Sequence, residues 1–179
     1  FDTLFKNTYV YKHPTEKKNS YYILKLDFSN IETYDKNESA LDNEFTDKIR
    51  DGITYFNDYY KVDFKIDKSL SANMLMRKFI LYFNSLMLEE KLYIIIDEYD
   101  NFTNAILEGE GTKFKNLVGN EGIVKNFYST IKEYVGLGIV DRVFMTGICP
   151  ITLDSMTTGF NIAKDISRDI DFTTMIGLT

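Results

Sequence analysis

The chain has 179 residues carrying 27 acidic and 21 basic side chains, a formal charge of −6 at pH 7, which opposes general binding to a nucleic-acid backbone. At 44% hydrophobic and 27% charged, with two Pro and ten Gly, the composition is that of a soluble globular protein rather than a disordered or fibrous one. A single domain over residues 1–179 is expected, and a chain of this length buries roughly 70% of its extended surface without needing disulfides or metal staples.

In chain order, Tyr21 to Asn30 (YYILKLDFSN) is an aromatic and β-branched run that predicts a largely buried strand. Leu41, Phe45, Ile49, Ile53, Phe56 and Tyr60 recur at helical steps, with Ser39 as the expected N-cap. KVDFKID alternates apolar with charged residues and predicts a short edge strand or an extended connection. From Ser71 to Leu88 the apolar positions run almost all the way round a helix, which predicts burial on more than one side. KLYIIIDEYDN then gives a run of apolar residues ending in acids, as an interior parallel strand would. The segment 107–122, with glycines at 109, 111, 119 and 122, predicts a flexible connection. Ile123, Val124, Phe127, Ile131, Tyr134 and Val135 restore helical spacing, which Gly136 and Gly138 end. DRVFMTG predicts a further short buried strand, and the turn-rich residues after Pro150 offer only short helical possibilities.

Strands alternating with helices longer than ten residues predict an α/β fold, a mostly parallel sheet covered on both faces. Ligands of such sheets bind beyond the carboxyl ends of the strands. The residues to inspect are therefore Asp27 and Ser29, then Asp97, Glu98 and Asp100, then Thr146. Asp97 and Glu98 carry the strongest signal, because adjacent residues leaving a strand point in different directions and can take separate tasks. In a P-loop nucleotide hydrolase the Asp holds hydrated Mg²⁺ and the Glu polarises the attacking water. The same residues also describe a buried strand that simply ends in acids at the solvent boundary. Thr146 could bring a hydroxyl to a γ-phosphate or to the lytic water from the neighbouring strand, although Thr is also a common strand former.

LKLDFS, YIIIDEYDN, RVFMTGI, TTGFNIAKDIS and the terminal GLT resemble, in order and spacing, the AAA-ATPase-like family of prokaryotic P-loop proteins, over nearly the whole chain. The resemblance implies ATP and Mg²⁺ as cofactors, DEYD as the Walker B segment, Asp97 as the metal partner, Glu98 as the catalytic carboxylate and Thr146 in a sensor-like position. Asp100, Asn161 and Asp165 match the motifs without an assigned role. Members of the family often carry a PD-(D/E)XK-type nuclease domain further along the chain.

The departure concerns the phosphates. A P-loop needs G-x-x-x-x-G-K-[ST] so that backbone N–H groups and a Lys can cradle them, and Gly-Lys occurs nowhere in this sequence. Lys113 and Lys115 lie among the glycines after the acidic strand, in the wrong order for that loop. The chain also opens at Phe1 inside what reads as an element, so a fragment that starts after its first strand and P-loop is expected, inert by itself. In the sheet order of such ATPases the P-loop strand lies beside the strand of Thr146. Its absence leaves Arg142 to Thr146 as an apolar edge expected to drive self-association.

Two other classes compete with the ATPase reading. A regulatory or scaffolding module with a degenerate nucleotide fold is one, since fold does not fix function. A metal-dependent nuclease built on Asp63 and Lys65 is the other, and the acidic balance opposes it. His13, the sole histidine, reads as a loop residue, and Cys149, the sole cysteine, as a packed thiol without a base partner. Tyr59, Tyr60, Tyr93 and Tyr99 read as packing residues. No apolar run reaches membrane-spanning length and no signal pattern opens the chain, which predicts a cytoplasmic protein.

Overall fold

The computed structural model describes residues 3–31, 37–101, 122–148 and 162–172. The elements are α1 (Tyr9–Lys12), β1 (Tyr21–Asp27), α2 (Glu38–Tyr60), α3 (Ala72–Ser85), β2 (Lys91–Asp97), α4 (Ile123–Gly136), β3 (Val140–Met145) and a 3₁₀ turn at Ile170–Phe172. The three strands form one all-parallel sheet in the order β1-β2-β3 with helices packed on it, an α/β arrangement. Among the described residues no helix is long and apolar enough to cross a membrane.

The covered face is set by strand periodicity. Leu24 and Leu26 pair with Ile94 and Ile96, and Val140 with Leu92; all six are buried against the helices. Leu41, Phe45, Ile49, Ile53 and Phe56 of α2 recur on the face turned to them, with Phe127 and Ile131 of α4 and Phe79 and Phe83 of α3 completing the core. Gly52 lets α2 lie directly on β1: a methyl group there would fall 2.6 Å from Leu26 Cδ2 and 2.6 Å from the Lys25 carbonyl oxygen. Phe28 stacks on Phe45, and both meet Phe127 edge-on, so an aromatic cluster lies immediately behind the end of β1.

Several expectations change. The strand predicted to reach Asn30 ends at Asp27 and is buried on one face only, with Ile23 42% exposed. Cover on both sheet faces was expected; among the described residues the helices pack on one. The other face carries Ile23, Lys25 and Asp27 with Tyr93, Ile95 and Asp97, then Arg142 and Phe144, all exposed or half-buried. The continuous apolar run of β2 does not reveal this, because Ile95 half-buries among its strand neighbours with none of the described helices above it. Asn37 rather than Ser39 caps α2, its side chain accepting the Ala40 N–H at 2.9 Å. The helix predicted over Ser71–Leu88 runs from Ala72 to Ser85. It buries a single broad arc, while Met74 and Leu81 on the opposite side face solvent. KVDFKID is an extended connection. The glycine-rich segment, apart from Gly122 at the start of α4, and most of the residues after Pro150 lie outside the described residues.

At the amino end of the sheet the register shifts by one residue between Leu92 and Tyr93, leaving Asp141 unmatched. Such a bulge re-aims side chains: the Tyr21 hydroxyl donates to Asp141 Oδ2 at 2.6 Å and accepts from Arg142 Nε at 3.0 Å, tying β1 to β3 across β2. The Tyr21 hydroxyl and, after it, Lys17 hold the Asp141 carboxyl below the usual carboxylate range.

Candidate functional site

The carboxyl ends of the three strands finish in step. Asp27 and Asp97 are register partners, and the Thr146 N–H donates to the Ile96 carbonyl at 2.9 Å, carrying the β2–β3 ladder past the last strand residue. Asp97 therefore stands in the middle, on the open face, with 44% of its side chain exposed. Its two oxygens have different partners: Oδ1 accepts the Thr146 hydroxyl at 2.5 Å, and Oδ2 lies 3.6 Å from Lys25 Nζ. Lys25 also reaches Asp27 Oδ2 at 3.9 Å, so one ammonium is shared between two strand-end carboxylates.

Glu98 leaves the strand abruptly. Its φ of +51° is left-handed, unusual for a residue with a Cβ, and it carries the side chain into solvent while Asp97 stays on the sheet. The turn closes with the Asn101 N–H donating to the Glu98 carbonyl at 3.0 Å. Asn101 Nδ2 donates to the Phe28 carbonyl at 3.0 Å, and the Phe28 N–H to the Asp97 carbonyl at 3.0 Å, so the ends of β1 and β2 are locked together. Asp27 accepts the Ser29 N–H at 3.0 Å, and the Ser29 hydroxyl and N–H hold its carboxyl below the usual range. Lys48 of α2 donates to the Ser29 carbonyl.

Below this surface Tyr99 and Asp100 turn inward and are buried. Asp100 Oδ2 accepts the Ile148 N–H at 2.9 Å. Tyr128 of α4 lies behind them; burial, with Tyr99 and Asp100 adding to it, pushes its phenol well above the usual tyrosine range.

The sequence-derived residues thus divide. Asp97 and Thr146 are in direct contact, Glu98 is next to them and exposed, and Asp27 is adjacent to Asp97 on the side away from β3. Asp165 accepts the Ser167 N–H at 2.8 Å in a local turn, while Asn161 and Cys149 lie outside the described residues. His13 follows α1 and packs on Tyr9, 4.4 Å between ring centroids. Asp63 and Lys65 pair at 2.6 Å in the exposed connection, and among the described residues no group of three or more His, Cys, Asp or Glu could hold a metal. The nuclease reading therefore lacks its further carboxylate among those residues. Tyr60 and Tyr99 pack as expected; Tyr59 is exposed and stacks beside Tyr55. Sequence reasoning passed over Lys25. Its position two residues before Asp27 puts both on one strand face, but the approach to Asp97 depends on cross-strand register.

The donor set suits a cation held mostly by water and phosphate oxygens, as Mg²⁺ is: a half-exposed carboxylate with a hydroxyl beside it, not a closed protein cage. A search of curated proteins and one of solved structures gave no match. A model of the AAA-ATPase-like family, described as a predicted AAA-ATPase, matches residues 1–157. With a parallel sheet whose central strand ends at Asp97, followed at once by Glu98, and that match across most of its length, the chain belongs to the AAA-ATPase-like family.

Proposed function

We propose that this chain is the metal-holding and water-activating part of an ATP-hydrolysing P-loop domain, with DEYD as its Walker B segment. The observation that carries the reading is the contact between Thr146 Oγ1 and Asp97 Oδ1 at the carboxyl end of the central strand, with Glu98 beside it. The Thr146 hydroxyl fixes one oxygen of Asp97 and leaves Oδ2 toward Lys25 and solvent, the oxygen available to a hydrated cation. Bound Mg²⁺ would supply charge neutralisation on the phosphate oxygens of ATP. Lys25 balances Asp97 and Asp27 and must share or yield Oδ2 when a divalent cation arrives. Glu98, exposed at the turn beside Asp97, polarises the attacking water. Thr146, on the flanking strand, holds Asp97 by donating its hydroxyl proton, and leaves its hydroxyl oxygen to accept a hydrogen bond from the attacking water.

The cradle for the phosphates is the missing element, since no Gly-Lys pair occurs in the sequence. On this reading residues 1–179 alone do not hydrolyse ATP, and the phosphate contacts come from a G-x-x-x-x-G-K-[ST] loop outside these residues. The outer side of β3, which pairs with no strand among the described residues, is where a further strand or a second copy would add. The experiment is Mg²⁺-dependent ATP hydrolysis by the full-length protein with Glu98→Gln. Turnover should fall by at least about a hundredfold with ATP binding kept, and hydrolysis persisting in that variant would reject Glu98 as the catalytic group. The lack of Gly-Lys favours a second reading, a regulatory module acting through protein contacts. A full-length protein without any such loop would decide for it.

A further inference from the structure

Asp100 is 2% exposed. A carboxylate taken out of water costs several kcal/mol unless hydrogen bonds replace its solvation, so its partners identify what it serves. One is the Ile148 N–H, 2.9 Å from Oδ2, on the segment that leaves β3. The residue before, Gly147, comes so near that a methyl group built on it would fall 2.5 Å from Asp100 Oδ1 and 2.5 Å from Tyr99 Cε1. Only a glycine admits that approach. One residue further back, the Thr146 carbonyl accepts the Tyr99 N–H at 3.0 Å and the Thr146 N–H donates to Ile96 at 2.9 Å. Three successive residues past the end of β3 are therefore gripped by the turn that follows Asp97. Connecting segments are ordinarily the mobile part of a parallel sheet, and Thr146 lies where β3 gives way to one.

We infer that Asp100 is a positioning residue: by clamping Ile148 and seating Gly147 it holds Thr146 in the one orientation that delivers its hydroxyl to Asp97. The consequence for turnover rests on the functional reading above; the clamp itself does not. A misplacement of about 1 Å at a reacting site costs up to roughly a hundredfold in rate. The carboxylate acts only through the backbone it holds.

The test uses the full-length protein with labelled threonine and isoleucine, comparing wild type, Asp100→Leu and Asp100→Asn. Three-bond couplings to the Thr146 methyl carbon report its side-chain rotamer, and amide exchange reports the Ile148 hydrogen bond. Wild type should show one Thr146 rotamer and an Ile148 amide exchanging at least about a hundredfold slower than an open chain. Asp100→Leu should average the rotamer and remove the protection. Asp100→Asn, whose side-chain oxygen can accept the same N–H, should restore both. In ATP turnover, kcat should fall about tenfold or more in Asp100→Leu with KM within about twofold, and recover in Asp100→Asn. An Ile148 amide exchanging freely in wild type, a fixed Thr146 rotamer in folded Asp100→Leu, or unchanged kcat with an averaged rotamer would each overturn the inference. If Asp100→Leu does not fold, the wild-type exchange rate and the Asp100→Asn rotamer still decide it. If the wild-type protein hydrolyses no ATP, the functional reading falls, while the Thr146 couplings judge the clamp separately.

Discussion

Glu98 sits in a backbone conformation that L-residues adopt at a cost of about 1 kcal/mol or more, and nothing about the turn itself requires a glutamate. Lys61 and Met87 take the same left-handed φ away from the strand ends, so the conformation does not by itself mark function; at Glu98, beside the acidic strand end, its cost is testable by removing the side chain. Glycine takes φ of +51° without a Cβ penalty, so Glu98→Gly should raise the unfolding free energy by about 0.5 kcal/mol or more in urea titration while abolishing ATP turnover. Glu98→Gln, which keeps the side-chain shape and the strain, should leave stability close to wild type. A loss of stability in Glu98→Gly would show that the glutamate side chain holds the turn. That Asp97 and Glu98 stand where β2 ends was legible in the sequence, because the apolar run stops at them; the run alone does not separate a catalytic pair from acids at a solvent boundary. Lys25 and the Asp100 clamp were not: one depends on which residues of β1 face which residues of β2, the other on a contact between two connecting segments 48 positions apart.

The elements hold the site through close approach. α2 can cover β1 only because Gly52 has no side chain, its missing methyl group being within 2.6 Å of both the Leu26 side chain and the Lys25 carbonyl. Gly52→Ala gains helix propensity worth about 1 kcal/mol. Overpacking against a fixed strand costs about 1–3 kcal/mol, and here one contact is to backbone, which yields least. The overpacking wins: Gly52→Ala should lower the urea midpoint, and an increase would mean that α2 shifts freely on the sheet. At the other end, the tie of Tyr21 to Asp141 and Arg142 follows from the unmatched residue in β3. The Asp141 carboxyl is held below its ordinary range, so its contribution is complete above the normal carboxylate titration and fades as pH falls through the lowered folded value. The helices themselves were readable from three- and four-residue spacing. The cap of α2 was displaced from Ser39 to Asn37 because Asn37 offers a carbonyl oxygen at the right distance from the Ala40 N–H, a competition among polar residues that spacing does not settle.

In the whole molecule the two sheet edges are treated differently. On the outer edge of β1 the Ile23 N–H donates to the Tyr60 hydroxyl at 2.9 Å, so the end of α2 closes part of that edge. The outer edge of β3 has no strand partner among the described residues, and Val143, Phe144 and Met145 are only half-buried. Pairing through Arg142 to Thr146 predicts that the isolated chain self-associates, with a light-scattering mass rising above that of the monomer as concentration increases. A clean monomer at high concentration would contradict it. The parallel α/β sheet was legible from strands alternating with long helices. That the described helices all pack on one face was not, because a strand of consecutive isoleucines reads the same with or without a helix above Ile95. The account as a whole rests on Asp97 and Glu98 working together on a nucleotide. Its most direct test is a single-turnover measurement on the full-length protein with γ-labelled ATP and Mg²⁺, following bound label and released phosphate in parallel. Wild type should release phosphate, and Glu98→Gln should hold the label as uncleaved ATP. Equal phosphate release from both proteins would contradict the account.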